Sequence, residues 1–199
     1  MIWFLSDNGP PAPDFGGAGS TGGLRGFKTT VFEGGVRTPG IVYWPRKIIM
    51  NAIVADKVTS LVDIRPTIRQ LLQVESAISF SDESLLDGVS LLSLIESPDT
   101  WNRNKDLLIC HPSMKKSDRI CPHYALYRNG YKAIVTRGKA SQLTTMPNAL
   151  FDLRNDRSER KNRIRLEPSL YLELADAGQV LMGSILDSFR ENRCSFLID

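Results

Sequence analysis

No stretch of this sequence is apolar and long enough to cross a bilayer, which takes about 20 consecutive residues. Only three cysteines occur, Cys110, Cys121 and Cys194, which excludes a small fold stapled by several disulfides. One bridge, Cys110 to Cys121, stays open but is not required. Charge of one sign is not in excess either: 25 Lys and Arg face 22 Asp and Glu, for a net charge of +3. The mildly basic excess is mostly local and argues against a nucleic-acid partner. The start does not read as a signal peptide, because Met1-Ile2-Trp3-Phe4-Leu5 is too short for an apolar signal core and has no basic flank. It reads as a strand entered in mid-fold, the start that a truncated reading frame gives. What remains is an ordinary globular composition, 42% hydrophobic over 199 residues, enough for the core of one domain or one and a half.

The pattern along the chain divides in two. Ile2 to Leu5 is a short apolar run ended by Ser6-Asp7-Asn8-Gly9, the look of a buried strand in a mostly parallel sheet. Ten of the 15 glycines fall between Gly9 and Gly40, so flexibility is expected to concentrate there. Ile41 to Trp44 reads as a second buried strand. Asp63 is expected to cap a helix with Ile64, Ile68, Leu71 and Leu72 on one face and Pro66 in its first turn. A short helix follows near Leu91 to Ile95. After about Asn104 the signals become those of an antiparallel sheet. Leu107 to Ile109 is a strand, and Tyr124 to Arg128 and Tyr131 to Thr136 flank the hairpin pair Asn129-Gly130. Ala149 to Leu153 is another strand. Pro168 then opens a long helix with Leu170, Leu174, Leu181, Ile185 and Phe189 at helical spacing, which Gly178 and Gly183 should weaken. The expected fold class is α/β: a partial sheet, residues 1–104, followed by a small antiparallel sheet packed against a C-terminal helix, residues 105–199.

Two short segments can carry chemistry. Asp7 and Asn8 sit at a strand end, where α/β enzymes build their sites, and offer hard oxygen donors suited to Ca²⁺ or Mg²⁺. The same residues can also form a plain Asx turn. Lys28, in a glycine-rich loop, can reach an oxyanion as a point charge, or can simply be a solvated surface lysine. The loop does not have the G-x-x-x-x-G-K-[ST] spacing of a phosphate-binding loop.

Together the segments resemble the sulfatase family of the alkaline-phosphatase superfamily. In that family a strand ends in S-D-N-G, as at Ser6 to Gly9. A segment like L-R-G-x-K-x-T-x-x-E-G-G-x-R-x-P follows, as at Leu24 to Pro39, and then an apolar strand ending in W-P, as at Ile41 to Pro45. The likeness continues through Ser60 to Thr67, Leu86 to Leu92, Tyr127 to Lys132 and Leu150 to Asp156, in the family's order. The resemblance implies a fold like that of alkaline phosphatase and hydrolysis of a sulfate ester, on a small molecule or a sulfated glycan. It implies that Asp7 and Asn8 bind an active-site Ca²⁺, in preference to Mg²⁺, and that Lys28 contacts the sulfate. Glu33, Gly34, Gly35 and Arg37 read as structural, with a Glu33–Arg37 pair. Periplasmic or extracellular location follows only from the family's habit of export.

The family's nucleophile is a formylglycine made in a C/S-x-P-x-R segment upstream of S-D-N-G, where the remaining metal-binding aspartates also lie. Only Met1 to Ser6 precede Asp7 here, so these residues alone are expected to be inactive. The run Cys110-His111-Pro112-Ser113-Met114 imitates the nucleophile segment, but it has Met114 in place of the arginine and lies on the wrong side of S-D-N-G. Zinc binding by Cys110, His111, Cys121 and His123 does not match the usual ligand spacing. Arg154 to Arg165 lacks interleaved aromatics and reads as a solvated turn. Two rival functions are a phosphoric-ester hydrolase of the same superfamily and a non-catalytic protein that holds a sulfated glycan.

Overall fold

The computed structural model describes residues 1–45, 47–48, 57–73, 87–111, 121–137 and 146–190. Leu86, positions 112–114 of the Cys-His-Pro-Ser-Met run, Cys194 and the side chain of Phe189 lie outside the described residues. The strands are β1 (Ile2–Leu5), β2 (Gly40–Tyr43), β3 (Leu107–His111), β4 (His123–Arg128), β5 (Tyr131–Thr136) and β6 (Ala149–Asp152). The α-helices are α1 (Glu33–Val36), α2 (Ile64–Leu72), α3 (Leu92–Glu96) and α4 (Pro168–Arg190).

β1 and β2 pair antiparallel, with Ile2 opposite Tyr43 and Leu5 opposite Gly40. This corrects the expectation of two buried strands in a mostly parallel sheet. Directly opposed residues share a face, and one face of this ribbon is open: Ile2, Phe4, Ile41 and Tyr43 are 62, 66, 56 and 59% exposed. Trp3, on the other face, packs toward Leu91, Leu94 and Trp101. A continuous apolar run signals cover on both faces, and here described residues cover only one.

The start of α2 also differs from its reading. Asp63 does not cap the helix with its side chain. Instead its buried carboxylate accepts the Ser60 N–H (2.7 Å), the Val89 N–H (2.9 Å) and both terminal nitrogens of Arg103 (2.7 and 3.0 Å). One turn on, Thr67 Oγ1 donates to Asp63 O and accepts from Leu91 N. The inward line of α2 therefore runs through Asp63 and Thr67, four residues apart, and Ile68 and Leu72 stay exposed.

The second half folds as its patterning requires. β3, β4, β5 and β6 form an antiparallel sheet in sequence order. Asn129 and Gly130 both take positive φ, 50° and 79°, the twist a two-residue hairpin needs. Period-two alternation splits the sheet into two apolar faces. Leu126, Ala133 and Leu150 meet Leu174 of α4. Ala125, Tyr127, Ile134, Ala149 and Phe151 meet Val31, Phe32 and Met146. The sheet is thus buried on both sides, by a helix and by the segment after the glycine-rich loop. Among the described side chains of α4 the buried positions are Leu174, Gly178 and Met182, whereas Leu181 is exposed. Gly178 does not merely weaken the helix: a Cβ there would lie 2.5 Å from the Tyr124 ring. Its bare Cα lets that ring in, and Tyr124 OH donates to Ala175 O at 2.9 Å. Cys110 and Cys121 form a disulfide between the end of β3 and the approach to β4, so their sulfurs serve each other.

Candidate anion site and its buried anchor

Ser6-Asp7-Asn8-Gly9 leaves the end of β1 with Asp7 exposed and Asn8 half-buried. Four backbone or hydroxyl hydrogen bonds tie this segment and the lysine loop to each other or to α1 and its flanks. Gly9 N donates to Gly35 O (2.8 Å), Lys28 N to Pro10 O (2.8 Å), Gly34 N to Arg25 O (2.6 Å) and Thr38 Oγ1 to Ser6 O (3.0 Å). The segments carrying Asp7, Asn8 and Lys28 are therefore neighbours, with the Lys28 side chain exposed. Beside it Thr29 holds φ 77°, a costly conformation for a β-branched residue. Thr30 steadies that turn by donating from N and Oγ1 to Phe27 O.

The glycines here do not supply flexibility. Gly9, Gly34 and Gly35 are buried. A Cβ on Gly9 would lie 1.9 Å from Gly34 O, and one on Gly35 would lie 2.3 Å from Thr30 O. They allow backbone to stack directly on backbone, which makes this half of the loop a packed unit.

Under α1 lies a cluster of charges that the sequence reading did not assemble. Glu33 is 2% exposed, and Lys132 and Glu159 are fully buried. Lys132 Nζ lies 2.9 Å from Glu33 Oε1 and 2.8 Å from Glu159 Oε1. Tyr127 OH donates to Glu33 Oε1 (2.8 Å), Arg37 Nη1 to Glu33 Oε2 (3.1 Å) and Glu33 N to Glu159 Oε2 (2.7 Å). Arg25 reaches the Glu159 carbonyl at 3.1 Å while its guanidinium stacks over Phe32. The expected Glu33–Arg37 pair is present, but it is the outer part of a larger network. Burial opposes ionisation of both carboxylates. For Glu33 that effect is outweighed by the Lys132 charge and by hydrogen bonds from Lys132, Tyr127 and Arg37, and its pKa falls. For Glu159 burial wins over Lys132, and its pKa rises. Tyr127, buried beside both carboxylates, is pushed well above its ordinary value. The one sequence signal for the cluster was a lysine at an inward position of an otherwise apolar strand, Tyr131 to Val135.

Asp7 and Asn8 suit a calcium ion by donor type: one carboxylate and one amide oxygen at an accessible strand end. They are two of the six to eight oxygens such an ion takes. Among the described residues, no three His, Cys, Asp or Glu side chains form a group that could hold a metal.

No family model matches the chain. Steryl-sulfatase of Mus musculus is 29% identical over 182 residues, and arylsulfatase A of Homo sapiens is 30% identical over 177. Each alignment covers 81% of this chain. Its relatives are sulfatases. The chain spans 28 and 33% of the lengths of those two sulfatases, about a third. Solved structures agree at the level of fold. Ps i-CgsB superposes with a TM-score of 0.69 at 21% identity, covering 91% of this chain and 36% of that one. The PsFucS1 sulfatase from Pseudoalteromonas sp. gives 0.64 at 22% identity, covering 92 and 37%. The sulfatase fold they share is alkaline-phosphatase-like.

Proposed function

We propose that this chain is the C-terminal portion of a sulfuric ester hydrolase, and that it supplies part of the oxyanion and metal site but not the attacking group. Residues 1–104 would be the end of the catalytic α/β domain and residues 105–199 a C-terminal α+β subdomain. The observation that carries the reading is the stitching of Ser6 to Pro10 onto the segment Arg25 to Thr38. Two sequence-distant loops, one with hard oxygen donors and one with an exposed ammonium, are held side by side by main-chain bonds.

In this reading Asp7 and Asn8 are the chain's share of a calcium shell. Calcium, when bound, would neutralise charge on the sulfate oxygens. Lys28, exposed on the adjoining loop, would offer an ammonium to the same oxyanion, as a donor that strengthens when the ester oxygens gain charge. The packed glycines and the strained Thr29 hold that donor's backbone before substrate arrives, which lowers reorganisation. No C/S-x-P-x-R segment precedes Asp7 in these residues. Charge stabilisation without a nucleophile gives no turnover, so the 199 residues alone are expected to be inactive. The substrate class would be a sulfate ester of a sugar or other small molecule. One solved structure of this fold was obtained in complex with its substrate D-glucosamine-2-N,6-O-disulfate, at a TM-score of 0.57.

Lys28→Ala, placed in a longer form that includes a nucleophile segment, should lower kcat by about 10²–10³, the usual effect of losing one oxyanion donor. Steady-state hydrolysis of an aryl sulfate measures it. Unchanged turnover in a folded variant would remove Lys28 from the site.

A further inference from the structure

The buried cluster under α1 has no place in the reading above, yet it touches both halves of the candidate site through one short helix. Lys132 Nζ and Tyr127 OH both reach Glu33 Oε1, and Glu159 Oε2 accepts the Glu33 N–H. Glu33 is the first residue of α1. From α1, Gly35 O accepts the N–H of Gly9, the residue after Asn8, and Gly34 N donates to Arg25 O at the entry to the lysine loop. Lys28 N then closes the ring on Pro10 O.

Burying a lysine between two carboxylates is a poor way to gain stability. Desolvation of three ionic groups offsets most of their attraction, and an apolar core of the same volume often does as well. Such a group does fix position, because a carboxylate that holds an ammonium, a phenol and a guanidinium has a single orientation. The cluster also spans long sequence distance: Lys132 and Glu33 are 99 residues apart.

We infer that Lys132 is a positioning residue: from the centre of the C-terminal sheet it locks Glu33, and through α1 it sets the relative placement of the Asp7–Asn8 turn and the Lys28 loop. The inference rests on the sulfate-site reading for its functional meaning, but not for its geometry. It makes the small sheet the support of the site and not only an appendage to it.

The test is amide hydrogen exchange on the full 199-residue chain, comparing wild type with Lys132→Met, followed by titration of inorganic sulfate with calcium chloride present. The reporters are the donors of the stitching bonds, the amides of Gly9, Lys28 and Gly34. In Lys132→Met they should exchange about tenfold faster relative to the amides of β4 and β5, a local opening and not a global one. Sulfate-dependent shifts at Lys28 should weaken with them. Uniform acceleration of all amides, or unchanged protection of the three reporters, would overturn the inference and leave Lys132 as a core ion pair. Where Lys132→Met does not fold, Glu159→Gln serves. It keeps size and removes one carboxylate, and the same selective loss at Gly9, Lys28 and Gly34 is required of it. A wild-type chain with no sulfate response at Lys28 counts against the ester-hydrolase reading, while the exchange data still decide the anchoring.

Discussion

The two sheets of this protein treat the same kinds of residue in opposite ways. In the β1–β2 ribbon, phenylalanine and isoleucine stand in solvent, with Phe4 66% exposed. In the β3–β6 sheet, a lysine and a neighbouring glutamate are fully buried, and Phe151 is 0% exposed. Residue type alone does not set burial. What sets it is whether another layer lies over the face and whether a polar group finds partners there. The four-stranded sheet has α4 on one face and Val31, Phe32 and the Glu33 turn on the other. Among the described residues, the ribbon is covered on one face only, by the α3 region behind Trp3.

That contrast can be broken most sharply with one substitution made twice. Phe151→Ala should cost about 3–5 kcal/mol, the range for removing a buried aromatic from a packed core. Urea denaturation checks it, and a loss below about 1 kcal/mol would mean that the second face of the sheet is not packed as described. The loop junction comes next. Gly9→Ala places a methyl group against Gly34 O, so a loss of about 1–3 kcal/mol is expected from overpacking. Thermal unfolding reports it, and tolerance of the methyl would show that the S-D-N-G turn does not dock on α1.

The buried carboxylates sharpen the comparison through pH. Glu33 has a lowered folded pKa. Its contribution is present above the ordinary carboxylate value and is lost as pH falls through the lowered one. Glu159 has a raised folded pKa. Its effect runs the other way, with stability lost as pH rises from the ordinary value through the raised one. In denaturation series across the acid range, Glu33→Gln should flatten the decline toward low pH, and Glu159→Gln should remove the opposing slope above it. Identical profiles for the two variants would contradict the split. The smallest effect belongs to the ribbon: Phe4→Ala should change stability by no more than about 0.5 kcal/mol, as expected for an exposed position. A loss as large as that of Phe151→Ala would show that the open face of β1 is covered.

Elements whose cause is local were legible in the sequence. The Asn129-Gly130 hairpin was, because two consecutive residues with positive φ are needed there and those residues tolerate it. So was the start of α4 at Pro168. Asp63 was legible as important but not in its role. Its bond to the Ser60 N–H is local, whereas the other groups that claim its carboxylate, Val89 and Arg103, come 26 and 40 residues later. The role of Gly9 and Gly35 was hidden for a similar reason. Composition shows a loop rich in glycine, but only the fold shows that Gly9 and Gly35 are pressed against backbone oxygens. Asp7, Asn8 and Lys28 were legible as residues of two motifs, and main-chain bonds from the adjoining Gly9 and Pro10 hold those two segments side by side. Of the Glu33, Lys132 and Glu159 cluster only the Glu33–Arg37 pair and a lysine within an apolar strand were local signals, because Lys132 and Glu33 meet across 99 residues.

The sequence by itself determined most of the secondary elements, though not α1, together with the hairpin register and the residue types that can hold an anion or a cation, because turn chemistry and side-chain period act over a few residues. Only the tertiary structure decided which faces are covered, which buried carboxylate has its pKa lowered and which raised, and which loop lies against which. Those outcomes depend on desolvation and on charges brought within about 3 Å across a hundred residues of chain, and no local pattern encodes such distances.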